Sequence, residues 1–270
     1  MRTSIVILAA LLTSSAVRAS DSWEMKASAT AVSNYMYDGI SQSWNRPAAQ
    51  ADFEVEHDSG AYAGVFVSTI SPRQYPGGNV EAEAWVGYGW EFSRQTSLGV
   101  ELAYIAFPGA NLSYGQCGAG LPCAAQSFNT GLARVVGQWD WLSMQLDYAL
   151  SDYYGASAAS GFAGSTRGST RYELGAEHEL PWDARWTGLV RLGYTHYSSA
   201  FLLPVMPGVD GSGAFYSLAL RRRFELDSTR IDLQFGVAGT SSGITSRSLT
   251  DGAQTRLGGP MPYVGITLRL

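Results

Sequence analysis

Residues 169–197 read STRYELGAEHELPWDARWTGLVRLGYTHY. Before the break, Tyr172, Leu174, Ala176 and Leu180 alternate with Arg171, Glu173, Glu177 and Glu179. After it, Trp186, Val190, Leu192 and Tyr194 alternate with Thr187, Arg191 and Thr195. A period of two with one apolar and one polar face is the pattern of a β-strand. The break, Pro181 to Asp183, is too short for anything but a tight turn, so the stretch predicts an antiparallel hairpin.

The same unit recurs along the chain. Twelve segments of roughly ten residues fit it, at 23–37, 49–57, 61–70, 80–91, 97–107, 127–138, 141–151, 169–180, 184–197, 214–224, 229–239 and 261–270. The segment 127–138 is the least regular, with apolar residues on both faces. The connectors alternate in length. Tight turns fall at 58–60, 92–96, 139–140, 181–183 and 226–228, and longer loops at 38–47, 71–79, 108–126, 153–168, 198–212 and 240–260. An up-and-down transmembrane barrel sorts its connectors in this way, short on the periplasmic side and long outside. An even count puts both termini on one side and all six long loops on the other. The fold class predicted is all-β, a transmembrane antiparallel barrel of about twelve strands.

Targeting and composition point the same way. Arg2, the apolar run Ile5 to Leu12 and Val17-Arg18-Ala19 form a secretory leader over 1–19, leaving 20–270 as the barrel. The chain has 31 Gly, 15 Tyr, 8 Trp and a single lysine, Lys26. A mean hydropathy of −0.04 is too low for a bundle of membrane helices and fits strands with one lipid face and one polar face. The formal net charge of −5 argues against nucleic-acid binding. Aromatics cluster at strand ends, as interfacial girdles require. Trp90, Phe92, Trp139, Trp141, Trp182, Trp186 and Phe224 flank the short turns, and Tyr35, Tyr37, Tyr104, Phe107, Tyr194 and Tyr197 flank the long loops. The only two cysteines, Cys117 and Cys123, share one long loop and predict a local disulfide in an oxidising compartment.

One segment carries a family likeness. Residues 32–70 read VSNYMYDGISQSWNRPAAQADFEVEHDSGAYAGVFVSTI. The pieces Ser33-Asn34-Tyr35, Gly39-Ile40-Ser41-Gln42-Ser43 and Pro47-Ala48, followed by SGAYAG, resemble the N-terminal hairpins of the TorF-like porin family of Gram-negative bacteria. Asp38 stands where that family usually has Arg, and the chain ends in Leu270 rather than Phe. The resemblance implies an outer-membrane barrel with a pore role and assigns no catalytic residue. Gly39 would supply a positive φ, Ser41, Gln42, Ser43 and Asn45 would cap backbone groups, and Pro47 would open the next strand. A folding motif for the first hairpin explains these residues better than a ligand site does.

Function, on this reading, belongs to the inward face. Candidate lumen acids are Glu54, Glu56, Glu81, Glu83, Glu91 and Glu101, all early. Candidate lumen bases are Arg171, Arg191, Arg221, Arg223, Arg230 and Arg269, all late. Opposed acidic and basic walls orient polar solutes and set ion preference. A barrel of this size lies between filled eight-stranded ones and open larger ones, so paired charges filling the lumen remain the competing outcome. A lipid-active enzyme would need a Ser–His pair at the rim. The histidines are His57, His178 and His196, the last beside Ser198 and Ser199, and sequence neighbours do not make a triad. The expectation is a porin-like channel, not an enzyme, with no metal and no cofactor. Its partners are outer-membrane lipid and small polar solutes or ions, with a homo-oligomer left open. A closed barrel with ligand-binding or partner-binding external loops is the alternative.

Overall fold

The computed structural model describes residues 22–117, 121–203, 205, 208–209, 211–226, 229–241 and 243–270. The expected leader at 1–19 and the expected turn residues 227–228 lie outside them. Twelve antiparallel strands close into one barrel, each pairing with its neighbours in sequence. They are β1 (Trp23–Val32), β2 (Ala48–His57), β3 (Ala61–Thr69), β4 (Val80–Ser93), β5 (Thr96–Ala106), β6 (Thr130–Trp139), β7 (Leu142–Ala149), β8 (Thr170–Leu180), β9 (Asp183–His196), β10 (Gly213–Leu226), β11 (Thr229–Thr240) and β12 (Met261–Arg269). Closure comes from β1, which pairs with β2 from Trp23↔His57 to Val32↔Ala48 and with β12 from Ser28↔Arg269 to Val32↔Gly265. Closure removes the open edges that would otherwise recruit another chain.

Alternation decides the two surfaces. Val86, Leu102, Leu174 and Leu192 are more than half exposed, and Val65, Met144, Leu218, Leu220, Phe235, Val264 and Ile266 are also exposed. So continuous an apolar outer band suits hydrocarbon rather than water. Inward positions carry charges, hydroxyls, glycines and flat-lying aromatics. Tyr62 is an example: a Cβ on Gly87 or Gly99 would come within 2.5 Å or 2.8 Å of its ring or hydroxyl. The two glycines let the ring lie against the wall instead of filling the lumen, and its hydroxyl donates to Glu101 Oε1 at 2.9 Å.

The hydrophobic core lies at the long-loop end. Ile70, Tyr75, Ile105, Phe107, Leu112, Phe128, Leu132, Tyr153 and Leu249 are buried there together. An aromatic chain joins the loops: Tyr75–Phe107 at 4.5 Å, Tyr75–Phe128 at 5.2 Å, Phe107–Tyr154 at 6.0 Å, Tyr153–Tyr197 at 5.7 Å and Phe162–Tyr197 at 4.9 Å between ring centroids. Each such pair adds about 0.5–1.5 kcal/mol beyond area burial. Tyr35, Tyr37, Phe107 and Tyr197 therefore do not form an outer girdle. They turn over the mouth because neighbouring loops offer them a dry, aromatic partner surface. Tyr104 and Tyr194 do face outward. Cys117 and Cys123 are disulfide-bonded, with Cα atoms 5.0 Å apart.

Candidate functional site: a charged lumen narrowed by the first long loop

The first strand ends at Val32, five residues before the sequence pattern does. The chain then folds back, pairing Met36 with Ser41 and Tyr37 with Ile40. Its turn takes positive φ at Asp38 (48°) and Gly39 (73°). A Cβ on Gly39 would meet the Gly239 carbonyl oxygen of β11 at 2.1 Å, so only glycine fits against that wall. A knot of small polar side chains holds the return. Ser41 Oγ donates to Asn34 Oδ1 at 2.6 Å and accepts from the Asn45 N–H at 2.8 Å. Ser43 Oγ accepts from the Tyr35 N–H at 3.0 Å and donates to the Arg46 carbonyl at 2.6 Å. Ser33 Oγ accepts from the Val264 N–H at 2.9 Å, tying the segment to β12. Gln42 accepts from the Tyr75 hydroxyl, and burial holds that phenol well above its ordinary pKa, so it remains a donor.

The hairpin tip carries Asp38 inward. Arg171 Nε donates to Asp38 Oδ1 at 2.7 Å, and Thr195 Oγ1 donates to Asp38 Oδ2 at 3.1 Å. Arg171 also pairs with Glu173 and, at 3.4 Å, with Asp147. Its guanidinium lies 5.3 Å from the Tyr37 ring centroid and 4.9 Å from that of Phe215. Asp147, fully buried, bridges onward to Arg134 at 2.8 Å, and Arg134 reaches Glu83 at 2.9 Å and Glu101 at 3.1 Å. Two arginines are thus set among five carboxylates across β4 to β8 and the hairpin. Such a network is costly to desolvate and holds only because nearly every charge is paired.

Below it, towards the short turns, lies a cavity of about 540 Å³. Glu83, Glu173, Glu177, Arg191, Arg221 and Arg269 contribute charge to its wall, with Gln145, Ser217, Gln234 and Tyr263 as neutral polar groups. Arg221 pairs with Glu177 at 2.8 Å. No ion pair of Arg191 is seen among the described residues, and it also lines an adjoining space of about 350 Å³ with Gln145 and Glu173. Above the network, a cleft of about 90 Å³ sits among the loops. Tyr37, Asp38 and Phe215 line both it and the large cavity, so these three form the partition between them.

The remaining sequence candidates spread out. Glu54 accepts from Trp85 Nε1 at 3.2 Å and Glu56 pairs with Lys26 at 2.9 Å. Glu81 is buried under the loops, and Glu91 is exposed near the short-turn end of β4. Arg230 and Arg269 both pair with Asp232 at 2.9 Å. Arg223 has a buried Nε without a hydrogen-bond partner. The two walls are less segregated than their order in sequence implies. Arg134 stands among the early acids, and Glu173 and Glu177 stand beside the late bases. Arg134, Asp147, Asp38 and Phe215 are central here and were not among the sequence candidates. The run Asp147, Arg171 and Arg134 on adjacent strands could have been found from register alone. Of the histidines, His57 Nδ1 contacts Ser59 Oγ at 2.9 Å, and His178 packs edge-on to Trp141. Ser198 Oγ donates to the Arg167 carbonyl at 2.8 Å.

A closed twelve-stranded barrel with a charged lumen cavity is a porin-like architecture. Residues 16–203 match the family described as "Bacterial protein of unknown function (Gcw_chp)", and the chain belongs to that family. No curated protein matches it. Among solved structures it is similar to the NanC porin, at 9% identity and TM-score 0.50, covering 91% of this chain and 98% of that one. It is also similar to the KdgM porin (10% identity, TM-score 0.48, covering 90% and 97%) and to OprD of Pseudomonas aeruginosa (11%, 0.36, 93% and 66%). At such identities the likeness concerns the fold alone.

Proposed function

We propose that this protein is a porin-like channel of a bacterial outer membrane, passing small polar solutes or ions by diffusion. The supporting observation is the cavity of about 540 Å³ inside a closed barrel, walled by charged and hydrogen-bonding side chains. A barrel whose only task was structural would gain by filling that space with side chains, as small barrels do. The exposed apolar band supplies the lipid contact, the short turns face the periplasm and the long loops face outward. The likeness of residues 32–70 to TorF-like porins agrees with this reading. Solutes would meet the partition of Tyr37, Asp38 and Phe215 first and the charged chamber second.

A second reading draws on the packed loops: the mouth is shut, and the loops are a binding surface. Planar-bilayer recording of the purified protein separates the two. The channel predicts discrete conductance steps, and silence at every voltage in verified insertions would overturn it.

A further inference from the structure

On β10 the inward series is Phe215, Ser217, Ala219 and Arg221, all on the cavity wall. The outward series is Leu218, Leu220, Arg222 and Phe224 by strand alternation. Leu218, Leu220 and Phe224 are exposed to the surroundings of the barrel. Arg222 is thus a cation in an apolar face. Its register partners are Trp186 on β9 and Leu233 on β11. Its guanidinium lies 5.2 Å from the Trp186 ring centroid and 5.1 Å from that of Phe224. Such contacts orient the cation but use none of its N–H donors. The Nε is buried and has no hydrogen-bond partner, and no ion pair of Arg222 is seen among the described residues. The nearby carboxylate, Asp183, is already held by Arg185 at 3.0 Å from Nε and 2.9 Å from Nη2.

In water an open guanidinium edge costs little. At the lipid-facing surface there is little water to satisfy it, and an unpaired donor there is expensive. We propose that Arg222, clamped by Trp186 and Phe224, binds the phosphate of a phospholipid in the periplasmic leaflet. With Nε buried, it is the two terminal nitrogens, Nη1 and Nη2, that can take two phosphate oxygens at once. The exposed column of Leu220, Leu218, Val190 and Leu192 leads away from it toward the middle of the barrel and offers a path for the acyl chains. That column is what favours a lipid over free phosphate. The inference rests on the membrane reading above.

Native mass spectrometry of the full-length protein released from detergent, with added dioleoylphosphatidylethanolamine, tests it. The wild type retains this lipid saturably, does not retain dioleoylglycerol, and keeps the lipid against millimolar inorganic phosphate. Arg222→Gln loses at least about tenfold in affinity, Arg222→Lys retains part, and Arg94→Gln, in the exposed turn between β4 and β5, binds as the wild type does. Equal retention by wild type and Arg222→Gln overturns the site, as does equal binding of dioleoylglycerol. Displacement by inorganic phosphate would show an anion site without lipid specificity and also overturns it. Should Arg222→Gln not fold, Trp186→Leu removes the clamp while keeping every N–H, and undiminished retention then counts against the site. Failure to enter membranes would instead overturn the membrane reading. That failure shows in a liposome-insertion assay, independent of headgroup.

Discussion

The two ends of this barrel obey one rule of alternation and reach opposite results. At the long-loop end, inward positions are dry: Ile105, Leu132, Thr130 and Asp147 are fully buried, and Phe128, Leu112 and Leu257 from the loops are fully buried with them. At the short-turn end, inward Gln138, Glu177 and Arg269 are exposed, Thr187 and Asp232 are buried only against their neighbours on the wall, and Tyr62 lies flat over glycines. The loops cause the difference, not the strands. Where loops fold over the mouth, inward side chains gain packing partners and the lumen becomes a core. Where connectors are tight turns, nothing among the described residues folds over the lumen, and charges such as Glu177 and Arg269 stay accessible. A single strand can therefore pass from core to vestibule along its length, as β6 does from Thr130 to Gln138.

That contrast can be broken at its junction. Asp147 joins the two arginines under the loops, so Asp147→Ala leaves both partly unpaired in a buried place. The expected loss is about 3–5 kcal/mol, measured as the urea midpoint of the refolded barrel in micelles. A loss below about 1 kcal/mol, the range of surface pairs, would show the network to be solvated. Gly39→Val acts on the hairpin itself, where the added side chain collides with Gly239. It should push Asp38 out of the lumen and raise single-channel conductance several-fold. Unchanged conductance would mean the hairpin does not narrow the path.

Charge reversal sharpens the picture of the open half. Arg191→Glu combined with Arg221→Glu should move the reversal potential in a salt gradient toward cations, since both line the chamber. An unmoved potential would place them off the path. The smallest effect belongs to the clasp between the second and sixth long loops, where Arg73 Nη2 meets Asp251 at 2.8 Å. Hydrogen bonding by Ser248 and the Ala253 N–H, aided by Arg73, holds the Asp251 carboxyl below its ordinary range. A depressed carboxylate stabilises the fold above its unfolded pKa, and that contribution fades as pH falls through the lower folded value. Below about pH 4 the loops should become more susceptible to pepsin, and Asp251→Asn should show the same susceptibility at every pH. Identical pH profiles for the two would remove Asp251 from the account.

The strands were legible because the apolar outer face and the polar lumen of the barrel impose opposite polarity on alternate residues, so the pattern survives in hairpins such as 169–197. The strand around 127–138 was obscure for a physical reason. Leu132 points inward yet is buried beneath the loops, which makes both faces apolar and hides Arg134 between them. Aromatics at loop bases were ambiguous because alternation ends where the strand does. Nothing in the pattern tells whether Tyr37 or Phe107 will face lipid or fold over the mouth. Gly39 and the serines around it were readable as a turn. The inward aim of Asp38 was not, since it depends on Arg171, 133 residues away.

The most direct test uses the asymmetry between the ends. Small polyethylene glycols are added to one side of a bilayer holding oriented channels, and conductance is followed. Polymer on the short-turn side should enter the chamber of about 540 Å³ and depress conductance, while the same polymer on the loop side should leave it unchanged. Equal depression from both sides, or depression from the loop side alone, would contradict a lumen narrowed by the first long loop.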